Sequence, residues 1–177
     1  MALHKQIESI RQSIRSELYQ VALEQTQLAL NEYDEQAELY ALMSQIKYKL
    51  GQKQLAIVYL KRAIFLGEEP TQELVVHCFT LTRYLINDRR FQEALVYAGK
   101  VISIEAHLQV NNFSDTIYFF KAWAYFYLED FQSSKTSLLK ISDPQCDRES
   151  FLGKLHTKDD LISQIDDLKQ RINYALI

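Results

Sequence analysis

Along most of this chain apolar residues return at steps of three and four, the spacing of one face of an α-helix. The pattern is cleanest from Tyr40 to Leu66, which reads as two amphipathic helices joined at Gly51. On the second of them Ala56, Leu60 and Ala63 fall at i, i+4 and i+7, so two small residues let a neighbouring helix approach and the leucine fills the gap. Gly51 stands where a helix end needs a left-handed backbone. Before this pair, the spacing predicts a helix over about 3–15 with Ile7, Ile10 and Ile14 on one stripe. A second follows from an N-cap at Ser16 to about Leu30, then polar turn residues from Asn31 to Asp34.

After the pair, Glu68-Glu69-Pro70-Thr71 breaks the chain, and Thr71 caps a helix running to Ile86. Asn87-Asp88 turns into a helix holding Phe91, Ala94 and Ala98. Residues 105–113 lack a period and predict a loop. Ser114 or Asp115 then caps a strongly aromatic helix, followed by a short serine-rich one over about 131–142. A loop over 143–156 precedes a C-terminal segment, 157–177, whose helix starts at a capping-box-like Thr157 and Asp160.

A single helical hairpin cannot bury its own apolar face, and the pattern recurs. Ala22, Ala56, Ala94 and Ser134 are equivalent small residues, separated by 34, 38 and 40 positions. Four residues later stand Thr26, Leu60, Ala98 and Leu138, and three further on Ala29, Ala63, Val101 and Ile141. Three residues before the anchors stand Tyr19, Lys53, Phe91 and Phe131. Twelve before them, small residues recur at Ser44, Thr82 and Ala122. Residues 3–142 thus resemble the tetratricopeptide repeat (TPR) family, with small and aromatic residues at such offsets over a period of about 34 residues. Departures are Lys47 where an aromatic is usual, Ile10 where a small residue is usual, and prolines displaced to Pro70 and Pro144. The resemblance implies an all-α, right-handed helical-repeat solenoid of four hairpins over 1–142, closed by a capping helix over 157–177, in one domain.

In that family the first helix of each hairpin lines a concave face that receives a partner peptide or helix. Carried onto this register, the implied partner-binding residues are Gln45, Tyr48 and Lys49, then Phe79, Arg83 and Asn87, then Phe119, Trp123, Phe126 and Tyr127. The last helix carries more apolar surface than one packing seam needs, since Tyr118, Ala122 and Tyr125 already supply a face. Either the C-terminal segment covers the other side, as expected of a helix apolar all round, or an aromatic patch stays open to a partner. Arg11, Arg15, Lys49 and Arg83 could tint the groove positive or simply be solvated. Leu161, Ile165, Leu168 and Ile172 step by 4, 3 and 4, which suits a helix closing the stack or the seam of a homodimer.

Composition narrows function mainly by exclusion. Four glycines and two prolines in 177 residues favour long helices over a turn-rich β fold. A net charge of −3 supplies no basic field for nucleic acid or a membrane surface, which weighs against the helical-repeat RNA binders. Cys78 and Cys146 form no disulfide framework or metal spacing, suggesting a reducing, cytoplasmic setting; no signal peptide or spanning helix is expected. No phosphate-binding glycine loop, metal set or nucleophile–base pair is visible, so neither an enzyme nor a cofactor is expected. The expectation is a non-catalytic adaptor or scaffold that binds another protein. Narrower alternatives are a chaperone for a secreted substrate and a self-associating subunit of a larger assembly.

Overall fold

A computed structural model describes residues 2–175 apart from Glu68, 144–147 and Leu152. Pro144 and Cys146, and the side chain of Ile172, lie outside the described residues. In chain order the elements are α1 (Ala2–Arg15), α2 (Tyr19–Glu32), α3 (Ala37–Lys49), α4 (Lys53–Leu66), α5 (Gln72–Asn87), α6 (Phe91–Leu108), α7 (Ser114–Tyr127), α8 (Phe131–Leu138), β1 (Arg148–Phe151), β2 (Lys154–Thr157) and α9 (Lys158–Ala175). They fall into two compact units, Met1–His77 and Cys78–Ile177, with the division inside α5.

In the first unit α1 packs on α2, α2 on α3, and α3 on α4. Ile7, Ile10 and Ile14 pack with Ala22, Ala29, Leu39, Leu42 and Ile46, so the isoleucine at a usually small position is core. In the second unit α6 packs on α7, and α7 on α8. The anchors Ala22, Ala56, Ala94 and Ser134 are all buried, as are Ser44, Thr82 and Ala122 twelve residues before three of them. In two hairpins a hydroxyl bridges these small positions: Ser44 Oγ donates to the Ala56 carbonyl at 2.7 Å, and Ser134 Oγ to the Ala122 carbonyl at 2.8 Å. Close helix approach and a satisfied buried hydroxyl therefore come from the same small side chain.

Every hairpin turns by the same device. Glu17, Gly51, Arg89 and Glu129 all adopt left-handed backbone, with φ of 60°, 77°, 59° and 63°. Each stands five residues before its anchor. At each corner two amides reach back to the preceding helix, as with Gln52 N to Lys47 O at 2.8 Å and Gly51 N to Tyr48 O at 3.0 Å. Leu18 and Glu17, Arg90 and Arg89, and Asp130 and Glu129 repeat that pairing at 2.9–3.0 Å, which is the Schellman arrangement.

Several element ends differ from expectation. Ser16 is no N-cap; α2 starts at Tyr19, because the left-handed Glu17 ends α1 first. The expected loop over 105–113 begins later, since α6 runs on to Leu108 before Gln109 turns left-handed; residues 109–113 are the loop. Thr71 does cap α5, accepting from Leu74 N at 3.2 Å. The Thr157–Asp160 box closes both ways, at 3.0 and 3.1 Å. The segment read as a loop over 143–156 contains an antiparallel two-stranded hairpin, with Arg148 opposite Thr157 and Phe151 opposite Lys154, turned at the left-handed Gly153.

Candidate functional site

The candidate surfaces are the outward sides of the first helices, taken one unit at a time. In the first unit, α3 turns Leu39, Leu42, Met43, Ser44 and Ile46 into the core. The 3.6-residue period then leaves Gln45 and Lys49 exposed and Tyr48 half-buried on the other side. Arg11 of α1 donates to Glu8 at 2.6 Å and also to Glu38 at the start of α3. The bond to Glu8 raises the guanidinium pKa against the opposing effect of burial, and the nearby Glu38 carboxylate adds to the rise. With two carboxylates on it, Arg11 gives this face no net positive tint; Lys49 is the cation of the expected set that α3 presents.

In the second unit the expected residues separate. Arg83 is exposed, and the Asn87 amide donates to the Arg83 carbonyl at 3.0 Å, tying down the end of α5. Phe79 is half-buried, its ring 4.6 Å from Phe113 and 6.0 Å from Phe120. Phe119 and Trp123 are 0% and 1% exposed, so they are core and not open anchors for a partner. The cover is the C-terminal segment. The His156 ring of β2 meets Trp123 edge-on at 4.4 Å, and β1 and α9 also pack on α7. Phe126 and Tyr127 stay half-buried, with Tyr127 stacked on Phe91 at 4.7 Å and Phe126 at 5.8 Å from Phe131. The aromatic residues that precede two anchors thus clamp the end of α7.

The same packing takes two residues out of the expected homodimer seam and leaves Leu168 half-buried. Leu161 and Ile165 are both fully buried within the chain, where α9 lies on α7 and α8, so they are not available to a second copy. Lys135 of α8 reaches Asp166 of α9 at 3.1 Å at the exposed edge of that packing.

Two polar residues hold these elements: Glu105, which no spacing singles out, and Asp115, which with Ser114 lies inside the first turn of α7 and does not cap it, the N-cap being Phe113. Glu105 of α6 is 1% exposed and accepts from Asn112 N at 2.8 Å, from Phe113 N at 2.9 Å and from Ser114 Oγ. It caps the start of α7 from the preceding helix, a role that sequence spacing could not reveal because donors and acceptor belong to different elements. Asp115 accepts from Ser142 N, Ser142 Oγ and Asp143 N at 3.0–3.2 Å. Burial pushes its carboxyl up, but these bonds outweigh that effect and hold it below the usual range.

The reactive residue types are placed quietly. Burial pushes the Cys78 thiol up to about 11, so it is not a thiolate at neutral pH. Burial lowers the His77 pKa, with Glu73 opposing. Among the described residues no three His, Cys, Asp or Glu side chains are grouped to hold a metal. No described helix is long and apolar enough to cross a membrane.

No family model matches this sequence, and no curated protein is similar enough to count as a match. Solved structures do resemble it. MamA is 18% identical with a TM-score of 0.66, over 78% of this chain and 75% of that one. A Podosopora anserina protein described as a kinesin light chain with nearly identical TPR-like repeats is 17% identical with a TM-score of 0.64, over 79% and 73%. At such identities the likeness establishes the fold, an all-α TPR-like helical repeat, as the small-residue register implies.

Proposed function

We propose that this TPR-like repeat protein is a non-catalytic interaction module, and that its partner docks on the outward face of α3. The observation that carries this reading is the division of labour on α3. The small and aliphatic residues that nest the hairpins are buried, while Gln45, Tyr48 and Lys49 stay accessible on the side that in this fold's repeats faces a ligand. An amide, a phenol and an ammonium on one helix suit an extended segment of another protein. They can donate to its main-chain carbonyls, and Lys49 can meet an acidic side chain or a chain-terminal carboxylate. Arg83 and the exposed part of Phe79 offer a second, separate contact on α5.

Phe119 and Trp123 are not in this proposal, because their place in the core is already taken up by His156 and the C-terminal elements. The test is affinity capture from the native source with the full chain and with a Gln45→Ala, Lys49→Glu double variant, checked for equal helicity. The expected result is a partner held by the native chain and lost from the variant. Identical capture by both would rule out the α3 face. A captured protein exported by its cell would narrow the role to a secretion chaperone; stable subunits of one complex would narrow it to an assembly component.

A further inference from the structure

Within the first unit α2 and α4 carry opposite charge. Helix α2 contains Glu24 and Glu32, follows Glu17, and has no Lys or Arg; α4 contains Lys53, Lys61 and Arg62 and has no Asp or Glu. Both are second helices of their hairpins, related by the 34-residue step, so equivalent positions point to the same outer side. On that side Val21 and Leu28 of α2 are 44% and 69% exposed, and Leu55, Val58 and Phe65 of α4 are 46%, 59% and 73% exposed. The two stripes interleave. Glu24 stands where α4 has Val58, and Leu28 where α4 has Arg62.

We infer that the outer faces of α2 and α4 form a self-association surface, on which the acidic α2 of one copy lies along the basic α4 of a second copy. Two-fold symmetry satisfies both helices at once. When α2 of the first copy meets α4 of the second, α4 of the first meets α2 of the second. A second copy is the occupant this surface matches, because the surface supplies its own complement in both charge and apolar residues. Arg62 already meets Glu35 at 3.5 Å and lies over Tyr40 at 5.8 Å and Phe65 at 5.4 Å, but that exposed ion pair is weak. Two helices of 14 residues are each about 20 Å long. Such a footprint is at the low end for a stable interface, so association is weak, concentration-dependent and weakened by salt.

Sedimentation velocity of the full chain, from low micromolar to the solubility limit at low salt, should show the mass of the 20.8 kDa chain rising towards twice that value. Two charge variants make the test specific. Lys61→Glu with Arg62→Glu makes both helices acidic; Glu17→Lys with Glu24→Lys makes both basic. Each alone should lose self-association by tenfold or more while keeping native helicity. Mixed, they should form a heterodimer, since each then supplies what the other lacks. Phe65→Ser in the native background should weaken association without altering charge. A native chain that stays monomeric over the whole range overturns the inference. So does a dimer that both charge variants retain, a mixture that fails to pair, or a monomer that binds a different protein through Phe65.

Discussion

Glu105 sits near the end of α6 and holds the start of α7, so its replacement should be felt in the helix it does not belong to. Truncation strands two backbone amides and a hydroxyl that its carboxylate now satisfies. Glu105→Ala should therefore cost about 2–3 kcal/mol in denaturant unfolding, and Glu105→Gln less, because one acceptor oxygen remains. Equal stability of all three chains would show that the carboxylate is not the cap. Asp115 makes a related prediction in pH. Its folded pKa lies below the unfolded value, so its contribution is present above the ordinary aspartate range and is lost as pH falls through the folded value. The slope of stability against pH on the acid side should accordingly flatten in Asp115→Asn. An unchanged slope would mean that the bonds to Ser142 and Asp143 do not persist in solution.

At the scale of elements, the four hairpin corners share one backbone conformation but only Gly51 has the residue that suits it. A Cβ at Gly51 would meet nothing within 4 Å, so the cost of adding one is purely conformational. Gly51→Ala should destabilise by about 1 kcal/mol, and Glu17→Gly, Arg89→Gly and Glu129→Gly should each stabilise by up to about 1 kcal/mol. Thermal unfolding of the four variants checks the sign, and stabilisation by Gly51→Ala would contradict it. The C-terminal hairpin has its own reporter, because Trp123 is the single tryptophan and lies against His156. His156→Glu puts a charge into that contact and should red-shift Trp123 emission and increase its quenching by acrylamide, with helicity retained. Unshifted emission would mean that β2 does not cover the ring.

For the whole molecule, the repeat was legible because close packing leaves a trace in the residues themselves: a helix crossing that requires Ala22, Ala56, Ala94 or Ser134 tolerates little else. The corners were legible only at Gly51, since a left-handed glutamate or arginine carries no signature in sequence. The strands of Arg148–Phe151 and Lys154–Thr157 leave no signal in the sequence, because four residues each give too short an alternation to stand above noise. The aromatic side of α7 showed excess apolar surface, and periodicity alone could not say what lay on it; the answer is in the chain's own C-terminal elements. Once Phe119 and Trp123 are assigned to the core, Gln45, Tyr48 and Lys49 carry the proposed binding. Side-chain footprinting by hydroxyl radicals, on the full chain with and without its captured partner, tests that assignment most directly. The expected result is protection of Tyr48 on α3, with Phe65 on α4 reacting as before. Protection of Phe65 while Tyr48 stays fully reactive would place the partner on the opposite side and contradict the account.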